Sequence, residues 1–150
     1  MGYGAPVEVV VPTLEELPRV RSLLEACGLE AGDVTGGPAQ RFLVAREGGR
    51  IVGCIGLEVH GASGLLRSFA VEPSLRRRGL GNTLQAAAVE LARAAGIRDL
   101  YLLTTTVRDR ALRDGFVDVA RELVPEPIRT GTQFRGLCPA TASCMWLRVG

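Results

Sequence analysis

The chain has 150 residues, 47% of them hydrophobic and 23% charged, with a formal net charge of +2. That length and balance predict one globular domain with one core over residues 1–150. So small a positive charge argues against general nucleic-acid binding, and no apolar run approaches the ~20 residues that span a bilayer. The cysteines are Cys27, Cys54, Cys138 and Cys144, and no secretory leader is evident, so a reduced, cytoplasmic protein is expected. Cys138 and Cys144 lack a zinc spacing and the chain has one histidine, so no metal site is expected.

The elements follow in chain order. Val7 to Val11 is a β-branched run and reads as a first strand. Thr13 and Glu16 fit a capping box, and Leu17, Val20, Leu24 and Cys27 form one stripe of a helix that Gly28 stops. Leu29 to Gly37, glycine-rich and acidic, is a loop or a short second helix. Phe42–Arg46 and Arg50–Val59 flank Glu47-Gly48-Gly49, a hairpin pattern. A turn at Gly61 to Gly64 leads into the apolar run Leu65 to Val71, which Pro73 ends.

Leu84, Ala87, Ala88, Leu91 and Ala95 then recur at helical spacing up to Gly96. Asp99 to Thr105 is a short buried strand, parallel to the central one because a helix connects them. A short helix at Val107 to Asp114 precedes Gly115-Phe116. The last strands are expected at Val117 to Leu123 and Cys144 to Val149, with a short helix and loop between them at Glu126 to Phe134. Antiparallel hairpins feeding one parallel crossover predict an α/β (α+β) fold with a mixed central sheet flanked by helices.

Between the central strand and its helix stand Arg76-Arg77-Arg78-Gly79-Leu80-Gly81-Asn82. A strand, a basic glycine-containing turn and a helix N-terminus together make an anion site. Helix amides and the macrodipole favour negative charge there, glycines admit a bulky diphosphate, and guanidinium groups donate to its oxygens. A P-loop is excluded because Asn82-Thr83 follows Gly81, and a dinucleotide fingerprint is excluded because Leu84 stands where a third glycine belongs.

Arg76-x-x-Gly79-x-Gly81 after a strand resembles the acyl-CoA signature of the GNAT acetyltransferases, and the likeness runs from about Leu65 to Phe116. It implies a sheet of about 6–7 strands whose V-shaped splay holds acetyl-CoA as co-substrate, and direct attack of an acceptor amine on the thioester. It also implies a bulge in the central strand, where the backbones of Phe69, Ala70 and Val71 face the pantetheine and thioester. The family's general acid is a tyrosine four residues before the glycine of its Gly-Phe pair. Here that position is Ala111, which leaves the acid unassigned. Such a departure keeps open an acyl-CoA-binding sensor or regulatory protein, and a peptide or protein N-acetyltransferase shares the fold.

Other candidates come from the residues themselves. Glu58 and His60, near the end of the strand before the central one, suit proton removal, or belong to a solvated hairpin end. Tyr101 is a candidate acid or a core tyrosine. Arg67 lies inside a strand expected to be buried, so it is paired within the protein or meets a substrate carboxylate; the second is preferred. Ser68 alternates to the other face, and Thr104 to Thr106 fall at a strand's C-terminal end, where ligands gather in open sheets.

Three segments narrow the likeness: Leu65-Leu66-Arg67-Ser68, Leu100 to Thr106, and Phe134-Arg135-Gly136-Leu137-Cys138-Pro139. They resemble GNAT enzymes associated with arsenic-resistance operons and, more distantly, the acetyltransferase domain of N-acetylglutamate synthases. That resemblance implies an amino-acid-like acceptor, with Arg67, Ser68, Thr104, Thr105 and Phe134 around it, and the segment from Ile128 closing the pocket. Edge strands and the last hairpin offer a homodimer surface by fold-level analogy.

Overall fold

The computed structural model describes residues 7–76, 78–104, 107–131 and 142–150. The chain enters along β1 (Val7–Val10) and passes through a 3-10 turn at Leu14–Glu16 into α1 (Leu17–Ala26). The antiparallel run β2 (Gln40–Glu47), β3 (Arg50–His60) and β4 (Ser63–Val71) follows, and α2 (Leu80–Ala94) crosses to β5 (Asp99–Thr104). After it come α3 (Arg108–Arg113), β6 (Val117–Asp118), α4 (Glu126–Arg129) and β7 (Ser143–Arg148). Seven strands form one sheet in the order β1-β2-β3-β4-β5-β7-β6. Its single parallel pairing, β4 with β5, is the one that a helical crossover requires.

The two long helices cover opposite faces. On one, Leu17, Val20 and Leu24 of α1 pack with Phe42, Val44, Ile51, Cys54 and Ala70. Burying a side chain such as Leu24 contributes about 1.5–3 kcal/mol. On the other, Leu84, Ala88 and Ala92 of α2 meet Leu43, Ile55, Leu57, Val71 and Leu100. The capping box starts the 3-10 turn that leads into α1: the Glu16 carboxylate accepts the Thr13 N–H at 2.9 Å. It also accepts from Arg46 of β2, at 2.6 Å from Nη2 and 3.1 Å from Nε, so the same carboxylate ties the helix start to the sheet.

α2 begins four residues before its predicted start at Leu84. Gly79, at φ +76°, ends the arginine turn in a left-handed conformation that lets helix geometry begin at Leu80. Two other expectations change. β6 is two residues long, and a 3-10 turn at Arg121–Leu123 replaces the rest of the expected strand. The chain leaves the sheet edge there because Val124 and Ile128 drop into a cluster with Leu65, Tyr101 and Cys144. The segment after α1 takes the loop alternative, with Ala31 and Val34 turned into the core under α1.

Geometry at the middle of the sheet matters most for function. β4 pairs with β5 over Ser63–Leu66 and Asp99–Leu102; beyond them the ladder stops although both strands continue. At the same level β4 bulges. Cys54 opposes Ala70 and Gly56 opposes Arg67, so Ile55 faces two residues, Ser68 and Phe69. Ser68 sits at φ 53°, a conformation that non-glycine residues rarely hold.

Candidate active site

A strand that bulges as its neighbour departs leaves backbone groups without ladder partners, and these must be satisfied elsewhere. The Cys54 thiol donates to the Ser68 carbonyl at 3.2 Å, so one of them is met from below by β3. Burial pushes that thiol up to about 12, which keeps it a protonated donor at neutral pH. Phe69 turns its ring toward the α2 face, while Ala70 and Val71 are buried.

One side of the bulge is electropositive. A cavity of about 520 Å³ lies at the N-terminus of α2, lined by Arg76, Gly79, Gly81, Asn82, Arg110, Arg113 and Asp114. Arg76 is anchored by its Nε to the Val71 carbonyl at 2.9 Å, which holds the arginine turn against the end of β4. Arg78 is placed elsewhere: with Val7, Val9, Leu75, Leu80 and Thr83 it lines a separate cavity of about 210 Å³ beside β1. The turn thus divides its arginines, and Arg77 lies outside the described residues. Leu80, expected in the same arm, is a buried core side chain, so its backbone alone is available to a ligand.

The α1 face of the bulge carries carboxylates. Arg67 is buried to 1% side-chain exposure, donates to Glu58 Oε2 at 2.8 Å and pairs with Asp33 from the loop after α1. Its Nε donates to Ser68 Oγ at 3.0 Å, linking the cluster to the bulge. His60 Nε2 lies 3.0 Å from the other Glu58 oxygen. Of the two readings of Arg67 the structure has the paired one, because a buried guanidinium is retained only where anions meet it. The preferred substrate-carboxylate contact gives way to this pairing. Glu58 is buried and His60, at the end of β3, is half-buried beside it.

Asp33 was missed. Its carboxylate reaches Arg67 across 34 residues of sequence, and Gln40 Nε2 holds its backbone carbonyl at 2.5 Å. Its only sequence signal is that of an acidic residue in the glycine-rich segment Leu29 to Gly37. Arg110, which lines the cavity at the start of α2, also has no signal in the arginine–glycine turn, since it comes from α3.

Three candidates have other surroundings. Tyr101 lies on the paired part of β5, opposite Leu65, within the apolar cluster with Val124 and Ile128. Burial, and then Asp99, push its hydroxyl above the ordinary tyrosine value. Thr104 is buried, and its Oγ1 accepts the Val107 N–H at 2.9 Å, bracing the entry to α3. Ala111 is buried on α3, so a methyl group stands where the family's acid is expected. Thr105, Thr106, Phe134 and Cys138 lie outside the described residues.

The acetyltransferase (GNAT) family profile matches residues 13–114. An IAA acetyltransferase from Azospirillum brasilense is 32% identical over 120 residues, which cover 74% of this chain and 78% of that protein. Among solved structures, N-acetylglutamate synthase from Neisseria gonorrhoeae, complexed with coenzyme A and N-acetyl-glutamate, superposes with a TM-score of 0.80 at 20% identity. That match covers 99% of this chain and 36% of the synthase, so the chain spans about a third of that protein's length. A Mycobacterium tuberculosis protein in complex with CoA gives a TM-score of 0.77 at 21% identity, covering 94% of this chain and 98% of the other. The chain therefore belongs to the acetyltransferase (GNAT) family, acyltransferases that move an acetyl group from acetyl-CoA to an amine.

Proposed function

We propose that this chain transfers the acetyl group of acetyl-CoA to the amine of a small amino-acid-like acceptor, by direct attack on the thioester. The observation that carries this is the β4 bulge at Ser68 and Phe69, where β4 loses β5 as a partner. It lies between an arginine-lined helix N-terminus and a cluster of two carboxylates, one guanidinium and one imidazole. The first suits the coenzyme diphosphate and the second an ammonium group.

In this reading the arm of Arg76, Gly79, Gly81 and Asn82 holds the diphosphate, and backbone groups of Phe69, Ala70 and Val71 orient the pantetheine and the thioester carbonyl. Glu58 accepts the acceptor's ammonium proton, directly or through water, with His60 hydrogen-bonded to it. The free amine attacks the carbonyl carbon to form a tetrahedral intermediate; as it collapses the nitrogen gives its second proton to solvent, the C–S bond breaks and the thiolate leaves. Ala111 supplies no acid, so the thiolate takes its proton from solvent. Arg67 and Asp33 act as positioning groups that fix the Glu58 carboxylate.

The test is thiol release from acetyl-CoA against a panel of amino acids, short peptides and an arsenical glutamate analogue, with products identified by mass. Amine-dependent release with free amino acids supports the reading; release with peptides alone overturns the small-acceptor assignment. Tight acetyl-CoA binding without release above background for any amine supports the sensor, the alternative that the buried Ala111 favours.

A further inference from the structure

We propose that Arg110, supplied by α3, is a ligand of the coenzyme diphosphate and closes the anion pocket from the side opposite the arginine turn; this rests on the coenzyme reading above. Arg110 stands where electrostatics disfavours it. The N-terminus of a helix carries about half a positive charge, and arginines are stabilising at the other end. Yet the Arg110 guanidinium lies against the first turn of α2. Its Nη2 donates to Asn82 Oδ1 at 2.7 Å, and a Cβ on Gly81 would fall 2.7 Å from its Nη1. It also lies over the Phe69 ring, 5.1 Å from the centroid, so it spans from the bulge to the helix end.

Among the described residues no carboxylate hydrogen-bonds it. Its close partners are a neutral amide and an aromatic face, and among the described residues the buried Nε has no hydrogen-bond partner. The nearest carboxylate oxygen, Asp114 Oδ2, is 4.0 Å away and accepts from Gln85 at 2.6 Å. The same cavity holds Arg76 and Arg113, so three guanidinium groups and a helix N-terminus face one carboxylate. Such a concentration of positive charge and donors suits an anion. In coenzyme A the group between the thioester arm and the nucleoside is the diphosphate. A guanidinium reaching from the bulge to the helix end meets that segment, whereas the 3′-phosphate lies past the ribose.

The experiment compares wild type with Arg110→Leu and Arg110→Lys, each titrated with CoA, 3′-dephospho-CoA and pantetheine, with thermal melts as a check on folding. Arg110→Leu is expected to weaken CoA and dephospho-CoA alike, by about 10- to 100-fold, the range for a lost charge-assisted contact. Pantetheine affinity stays unchanged, and Arg110→Lys recovers part of the loss because it restores charge without the fork. Unchanged CoA affinity in the folded leucine variant overturns the proposal, as does an equal loss for pantetheine. A loss seen with CoA and absent with dephospho-CoA moves the residue to the 3′-phosphate and overturns the assignment to the diphosphate. If the leucine variant fails to fold, the lysine variant carries the comparison, with a smaller loss shared by CoA and dephospho-CoA expected and none contradicting it. If wild type itself binds no CoA, the coenzyme reading falls and this inference with it.

Discussion

At the scale of single residues, a guanidinium almost out of reach of water persists beside the bulge because Asp33 and Glu58 both meet it. Removing it leaves two carboxylates without their counter-ion, so Arg67→Ala is expected to lose about 3–5 kcal/mol of stability in denaturant unfolding. Glu58→Gln keeps the shape and removes the proton acceptor. It is expected to lower kcat about 100- to 10,000-fold while leaving the Kd for CoA unchanged, and a fall in CoA affinity instead would argue against the role. Cys54 gives a pH signature. Its folded value near 12 lies above the ~8.5 of a free thiol, so the folded state holds the proton more tightly. Its contribution to stability is therefore complete below about pH 8.5 and is lost as pH rises toward 12. Unfolding measured across that range is expected to show a falling alkaline limb that Cys54→Ala flattens.

Among the elements, α1 and the α2 turn carry the clearest consequences. The Arg46 guanidinium, and then the Thr13 N–H, hold the Glu16 carboxyl below its usual range. A depressed carboxyl stabilises the fold above its unfolded value, near 4.3, and that support is lost as pH falls through the folded one. Glu16→Gln is expected to lower stability at pH 7 by about 1–2 kcal/mol and to shrink its difference from wild type in acid, read from melts at both pH values. The start of the helical segment that passes through the 3-10 turn into α1 was legible because Thr13 and Glu16 are three residues apart and a helical stripe follows. The Arg46 contact was not, since it joins residues 30 apart on different elements. Likewise the residues of Val117 to Leu123 said nothing about where a strand leaves its partner. The pull of Val124 and Ile128 into the core decided that.

Across the whole molecule, the sheet separates two charge environments. Arginines and a helix N-terminus lie on the α2 side of the bulge, where the proposal places the coenzyme, and Asp33, Glu58 and His60 on the α1 side, where it places the acceptor. The mixed sheet and the arginine–glycine turn were legible because hydrophobic periodicity and local motifs encode them. The carboxylate cluster was only half legible: Glu58 and His60 are neighbours in one strand, but Asp33 reaches their partner Arg67 from a loop without periodicity. The measurement that bears most directly on the central claim is calorimetric titration of acetyl-CoA into the folded wild-type protein at low and high salt. One molecule is expected to bind per chain, with affinity falling as salt screens the arginine-lined pocket; a folded protein that takes up no acetyl-CoA at either salt would contradict it.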